Sequence, residues 1–551
     1  MPARAWPRLV IALIILATAL PNRSAFFALD EGIYYLDGAR LLSGEVPYRD
    51  FFQFIPPGTM FFTRAFLGLF GDDALMATRF ALLGIYVWSA WMLYGFAHRL
   101  TGRPVISLLA PLHLVVVSRN ASWWVIGHHP LSNALLLLAV ALLLRIVERP
   151  RRWDPFFLGL TLGAVIVVTQ HVGALLTLAV LGLATWYLPE KSDRSRRTLL
   201  AAILQGASLP VGAVLLFLFA NSALSDAFWC MVVYPATVYR PFHAEPYFAG
   251  GFELLSKDWS AGGLGAFDLV GHLLLVGLAP PIALSLGVVR QIATSVRVSP
   301  ATVDPPLAAA RLIIVTCAVV QFMTVASQPT HHAITQSSSL SFVILLDLVT
   351  PRGRFLLRRA GEELAALGPA LRNALAALLL AWFAWDLSSA LGRELRAMSV
   401  LREHAIVVPT RFGDLVHTDP KVGYELNLVL RKIREQTRPG EAILVFNWSA
   451  HLYLIADRPP ATRFSGILPG HNSDAQFAQV IDAIRNRRPH LIVRDDIMDQ
   501  LLALGDRRFS VDTGGAPYLG PLDLELSGGY RPVLLLSRFR VFAPIGEPRL
   551  R

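Results

Sequence analysis

"ALDEGIYYLDGARLLSGEVPYRDFFQFIPPG" at residues 28–58 places two adjacent carboxylates, Asp30 and Glu31, a few residues beyond the apolar run "LVIALIILATAL" at 9–20. Whether that charge sits beside a membrane is decided by the rest of the chain. Of its 551 residues, 54% are hydrophobic and only 16% charged. A mean hydropathy of +0.50 is too apolar for a soluble protein of ordinary usage. The chain reads as a polytopic α-helical membrane protein.

A helix needs about 20 apolar residues to cross the hydrocarbon, where no water is present to satisfy the backbone. Uncharged runs near that length predict about eleven spans, at 8–22, 74–97, 104–118, 131–147, 155–169, 172–188, 199–220, 267–289, 308–327, 334–350 and 368–391. The first run, behind Arg4 and Arg8, reads as a span in preference to a cleaved signal, because "ALPNRSAF" is a poor small-residue cleavage site and more spans follow.

Short basic loops stay cytoplasmic. Those at 98–104, 145–153, 190–197, 290–299 and 351–359 fall on one side of the predicted bundle, and the long, aromatic, lightly charged loops 23–73, 119–130, 221–266 and 328–333 on the other. This predicts a cytoplasmic N-terminus and a C-terminal region outside, in the periplasm of a bacterial inner membrane. The net charge of +11 and pI of about 9.9 are then a topology signal. They call for no nucleic acid, since the basic residues form no stripe with interleaved aromatics. Cys230 and Cys317 have no metal-knuckle spacing.

From about residue 399 the composition turns mixed. The runs 441–447, 489–495 and 531–544 read as strands, and 423–437 and 474–488 show helical spacing. The expected organisation is a transmembrane domain at 1–398, including the first outer loop 23–73, and a C-terminal soluble α/β domain at 399–551. That domain carries no Walker, GxGxxG or GxSxG sequence.

A carboxylate just outside a span avoids the roughly 2.5–3.5 kcal/mol that Asp costs at a membrane helix centre, yet stays beside the lipid headgroups. After Asp30 and Glu31, apolar Ile33, Leu36 and Leu41 recur at helical spacing, and a second amphipathic run follows "IPPG". The pattern predicts two interfacial helices. By spacing alone, the acids also suit a helix N-terminus.

The order DE, short helix, "GEVPYRDFF", PPG and "LGLFG", then a multi-span bundle ending in an α/β domain, resembles bacterial GT-C glycosyltransferases of the glycosyltransferase 39-like kind. These are relatives of protein O-mannosyltransferases, the lipid A aminoarabinose transferase and rhizobial lipopolysaccharide-core galacturonosyltransferases. The resemblance implies an inverting transfer of a sugar from a polyprenyl-phosphate donor to a periplasmic glycan, lipid or protein acceptor. It implies Asp30 as catalytic base, and Glu31 would raise its pKa or position the acceptor. A well-placed general base contributes about 10²–10⁴-fold.

One departure stands out. Many relatives carry a lysine before the Pro-Pro pair, where it meets the lipid phosphate, whereas this chain has Ile55 before Pro56 and Pro57. Arg40, Arg49, Arg64, Arg119 and Arg240 are the alternative phosphate ligands, since arginine binds phosphate bidentately; each also suits a surface anchor. Tyr35, Asp50, His128, His129, Gln170, His171 and His332 are expected around the sugar or acceptor. Imidazoles with carboxylates would also hold a divalent metal ion, but the sequence assigns no ligand set. Tyr234, Tyr239 and Tyr247 serve equally as membrane-belt residues or sugar platforms. Two rival readings are a polytopic transporter or lipid flippase and a non-catalytic subunit of cell-envelope polysaccharide assembly. Against the first, Gln170 and His171 are the main interruption of the predicted spans.

Overall fold

The computed structural model describes residues 6–19, 23–27, 29–118, 125–187, 195–243, 279–297, 305–324, 338–350, 406–417, 419–446, 449–468, 471–496 and 519–546, with isolated positions between 374 and 388. Helix α1 (Trp6–Ala19) precedes α2 (Leu29–Leu42), α3 (Gly58–Phe70) and α4 (Ala74–Thr101), the last two joined by one tight turn at Gly71–Asp73. The bundle continues through α5 (Pro104–Ser107), α6 (Leu109–Ser118), α7 (His128–Glu148), α8 (Asp154–Val168), α9 (Gln170–Trp186), α10 (Arg196–Ala220) and α11 (Leu224–Phe228). Two π-helical turns, Trp229–Val233 and Pro235–Tyr239, then lead to α12 (Arg240–His243), and α13 (Ala279–Arg297), α14 (Pro305–Met323) and α15 (Ser339–Val349) follow.

Among the described residues, four helical stretches are long and apolar enough to cross a membrane: Gly58–Thr101, His128–Glu148, Arg196–Ala220 and Pro306–Met323. Shorter apolar helices surround them. Some pack backbone to backbone: a Cβ at Gly159 would lie 2.0 Å from the Ile203 carbonyl oxygen, and one at Gly206 would lie 2.1 Å from that of Phe156. Such contacts are how membrane helices gain van der Waals energy where lipid competes for apolar surface.

Helices overlie the described parts of the predicted spans from 8–22 to 334–350. The span expected at 267–289 is described from residue 279 on, where helix α13 (Ala279–Arg297) runs through the basic stretch expected as loop. Charge is tolerated there because buried Arg290 pairs with Asp347 of α15, and Arg311 of α14 holds the same carboxylate through two 2.9 Å hydrogen bonds. Asp347, inside a predicted span, is thus an ionic interruption that the sequence reading missed. The last predicted span, 368–391, lies almost wholly outside the described residues.

In the C-terminal region, β1 (Ile406–Thr410) and β2 (Gly413–His417) form an antiparallel hairpin ahead of α16 (Pro420–Gln436). A second sheet contains β3 (Ile443–Phe446), β4 (Leu491–Asp495), β5 (Tyr530–Leu535) and β6 (Phe539–Pro544) in the order β3-β4-β6-β5. The pair β3/β4 is parallel and the other two pairs antiparallel. Helices α17 (His451–Ala456) and α18 (Asp474–Arg487) fill the crossover from β3 to β4, as a parallel pair requires; α19 (Leu519–Gly529) precedes β5.

This region shares a core with the first loop. Phe27, Ile33, Tyr35 and Leu36 belong to the same buried cluster as Leu426, Val429, Leu452 and Tyr453. Main chains are stitched as well: Phe26 N–H donates to the Val416 carbonyl at 2.8 Å, Val416 N–H to that of Ser24 at 2.8 Å, and Phe52 N–H to that of Arg463 at 2.8 Å. Helix α2 was expected to lie along the lipid interface. Instead it is buried along nearly its whole length, because the C-terminal region covers its outer side. Helix α3 keeps an exposed face with Arg64, Leu69 and Phe70.

Candidate active site

Successive helical residues point about 100° apart, so the adjacent acids of α2 must face different surroundings. Glu31 is fully buried and takes two hydrogen bonds from the Arg79 guanidinium of α4, at 3.2 Å from Nε and 2.8 Å from Nη2. Arg79 Nη1 also donates to the carbonyls of Arg23 and Ala25, at 2.7 and 2.8 Å. Tyr35, one turn after Glu31, is buried on the same side and donates to the Ala74 carbonyl at 3.3 Å. These two residues fasten α2 to α4. Glu31, expected as the base's partner, and Tyr35, expected at the sugar, both make these contacts to α4, while Asp30 is exposed.

Asp30 shares its face with Tyr34 and Asp37, at i, i+4 and i+7. The Tyr34 hydroxyl lies 2.6 Å from His128 Nδ1. Burial first, then the negative charge of Asp30, hold that hydroxyl well above its ordinary pKa. The Asp37 carboxylate is fully buried and accepts from Gln53 Nε2 and Ser465 Oγ, both at 2.8 Å. Burial pushes its pKa up to about 6, against the opposing pull of those two hydrogen bonds. His129 stacks beside His128, with ring centroids 4.0 Å apart.

Opposite stands an aromatic wall. Phe54 packs 4.8 Å from Tyr239 and 5.5 Å from Tyr234, and Tyr239 meets His471 of the C-terminal region at 5.3 Å. Tyr239 ends the second π turn and Tyr234 sits between the two, a distortion that frequently marks functional positions. Gln170 braces that segment by donating to the Met231 carbonyl at 3.2 Å, a scaffold contact where a sugar contact was expected. His171, exposed, follows it.

The "GEVPYRDFF" segment is a tight structural knot. Tyr48 is fully buried at φ 72°, a conformation costly for a bulky residue. Its hydroxyl bonds the Ile55 carbonyl at 2.8 Å, and its own carbonyl accepts from Arg463. Asp50 caps the Val46 N–H at 2.8 Å and binds Arg49 through two 2.8 Å contacts. Arg49 also donates to the Asn221 carbonyl, while buried Arg40 is committed to Glu45 and to the carbonyls of Arg463 and Asp50. Asp50, Arg40 and Arg49, expected at the sugar and the donor phosphate, thus also hold the loop's shape. Arg64 and Arg240 are exposed. Ile55 packs against the apolar cluster beneath α2.

Arg119, His332 and Tyr247 lie outside the described residues. Among the described residues, no three His, Cys, Asp or Glu side chains converge as a metal site. Sequence reading missed Tyr34, Asp37, Gln53 and Ser465. The first two were signalled by polar residues recurring at i, i+4 and i+7 from Asp30; nothing local marked Ser465.

No protein-family model matches the chain, and no curated protein matches it in sequence. Its fold does match solved structures. ArnT from Cupriavidus metallidurans, a lipid A aminoarabinose transferase, superposes with a TM-score of 0.52 at 15% identity, covering 98% of this chain and 98% of that one. The Archaeoglobus fulgidus oligosaccharyltransferase tethered with an acceptor peptide gives 0.52 at 12% identity, over 99% of this chain and 74% of that one. The same archaeal enzyme, AglB, in complex with an inhibitory peptide and a dolichol-phosphate, gives 0.51 at 12% identity, over 98% and 74%. The chain has the fold of the GT-C membrane glycosyltransferases.

Proposed function

We propose that this protein is an integral-membrane glycosyltransferase that moves a sugar from a polyprenyl-phosphate donor to an extracytoplasmic glycan, lipid or protein acceptor, with inversion. The observation that carries the reading is the sorting of the acid pair. Glu31 is consumed by Arg79, which leaves Asp30 as the solvent-facing carboxylate of α2, in line with Tyr34 and Asp37 and beside the ends of α7 and α9. The fold supports it: GT-C neighbours include an enzyme solved with a dolichol-phosphate.

In this mechanism Asp30 takes the proton from an acceptor hydroxyl or amine. The freed electron pair attacks the anomeric carbon as the bond to the phosphate oxygen breaks, and polyprenyl phosphate departs with its electrons. The Tyr34 and His128 pair fixes the wall beside the base, and the aromatic wall of Phe54 and Tyr239 faces the sugar. With Ile55 unable to bind phosphate and Arg40 and Arg49 held by the loop, the exposed Arg64 and Arg240 are the described candidates for the donor phosphate. The protein resides in the bacterial inner membrane with this site on the periplasmic side.

The test is donor turnover by purified protein over a panel of polyprenyl-phosphate sugars, reading release of polyprenyl phosphate. One donor should turn over, and Asp30→Asn at equal abundance should lose that activity; full activity in Asp30→Asn would refute the mechanism.

A further inference from the structure

Asp37 is a carboxylate that the reaction above does not use, yet three parts of the molecule meet on it. Its two oxygens are claimed by donors from different elements: Gln53 Nε2, from the segment just before Ile55-Pro56-Pro57, and Ser465 Oγ, from the C-terminal region, each at 2.8 Å. Gln53 has no freedom left, since its side-chain oxygen accepts the Phe54 N–H at 2.9 Å. The orientation of Asp37 therefore sets the backbone of Phe54, whose ring faces Tyr239. Asp37 also lies two helical turns from Asp30 on the same face, about 10 Å along the axis.

Among the described residues, no cation is bonded to this buried carboxylate. The nearest guanidinium, Arg40, is bonded to Glu45, and the neighbouring Tyr34 and Tyr48 hydroxyls are neutral. The charge tightens the bridge, because charge-assisted hydrogen bonds are roughly twice as strong as neutral ones. Asparagine is isosteric and can accept from Gln53 with Oδ1 while donating to Ser465 Oγ with Nδ2. A charge kept in a dry position where a neutral amide would serve is an arrangement found at functional sites more than in scaffolds.

We propose that Asp37 is a positioning residue for sugar transfer: its carboxylate locks the segment before Pro56-Pro57 and the Ser465 loop onto the helix that carries Asp30. The inference rests on the glycosyltransferase reading. In Asp37→Asn both bonds survive only as neutral hydrogen bonds, roughly half as strong as charge-assisted ones, so Gln53 is held less firmly and the aromatic wall can shift against the base; a displacement of about 1 Å is enough to cost on the order of 100-fold in rate.

The experiment compares wild type, Asp37→Asn and Ser465→Ala as full-length proteins in detergent, by thermal unfolding and by donor turnover from pH 5 to pH 8. Asp37→Asn should unfold at or above the wild-type temperature, since a buried charge is gone, while kcat/KM for the donor falls about 10- to 100-fold. Wild-type rate should decline on acidification through pH 6, and Asp37→Asn should lose that decline. Ser465→Ala should lower turnover by a smaller factor without shifting that limb. Asp37→Asn activity within twofold of wild type overturns the inference, and so does a fall in unfolding temperature that accounts for the lost activity. A wild type inactive with every donor overturns the function itself, and this inference with it.

Discussion

Replacing one acid of the Asp30 and Glu31 pair at a time separates chemistry from architecture. Glu31 is fully buried, and both its oxygens are bound by Arg79 at 3.2 and 2.8 Å. In Glu31→Gln the amide keeps one acceptor but turns an N–H toward the guanidinium, and Arg79 is left charged in a dry site. Removing one partner of a buried pair costs about 3–5 kcal/mol. Because Arg79 retains the carbonyls of Arg23 and Ala25, the lower figure of about 3 kcal/mol applies, roughly a 100-fold change in the folding equilibrium. Asp30→Asn removes an exposed group and should change stability by no more than about 0.5 kcal/mol, while lowering transfer by about 10²–10⁴-fold. Detergent-solubilised variants would be followed by thermal unfolding alongside polyprenyl phosphate release. The double variant Glu31→Leu with Arg79→Met, which replaces the pair by apolar volume, should regain part of the lost stability. Glu31→Gln with wild-type stability and no turnover would place Glu31 in the chemistry and refute this division of labour.

Three further outcomes are expected. A Cβ at Gly32 would lie 2.8 Å from the His451 backbone nitrogen and 2.9 Å from its Cβ, so Gly32→Ala should cost about 1–3 kcal/mol by overpacking and make protease cleavage of the C-terminal region easier. Burial holds the His451 imidazole at a pKa of about 3, against 6.5 for an ordinary histidine. The unfolded chain therefore binds a proton that the native one refuses: the contribution is complete above about pH 6.5 and is lost as pH falls toward 3, by about 5 kcal/mol over that window. His451→Phe should flatten this acid slope in denaturation at pH 7.5 and pH 5. Tyr34→Phe removes the 2.6 Å contact to His128 and should lower turnover about tenfold with a stability loss of about 1 kcal/mol; unchanged kinetics would remove that pair from the site.

Hydropathy was enough to find most of the bundle, because a lipid-facing helix has to be apolar over its whole length. It failed where charge is neutralised by a partner far away in sequence: Arg290 looks like loop until Asp347, 57 residues later, is placed against it. The strands β3, β4, β5 and β6 were legible as short apolar runs, whereas the β1–β2 hairpin, with only Val408 and Leu415 fully buried among its ten residues, was not. In the site, attention to Ile33, Leu36 and Leu41 captured the apolar side of α2 and passed over the polar row. Pairing Asp30 with Glu31 followed sequence adjacency, which on a helix separates side chains. Arg40, Arg49 and Asp50 were read as ligands for substrate because their pairing with Glu45, with each other and with backbone groups of the loop depends on how the loop folds, which a sequence does not show.

The hydrogen bonds that join Phe26 to Val416 and Phe52 to Arg463 also set an order of events at the ribosome. The helix bearing Asp30 leaves the translation machinery early, but the residues that cover it and grip Asp37 are made roughly 390–430 residues later, about 20–80 s at 5–20 residues per second. Until then the loop has neither its strand partners nor Ser465. A chain cut short before β2 would carry the four described long apolar helices and an unassembled site, so under the proposed function a truncated copy left in the membrane would be unable to consume lipid-linked sugar.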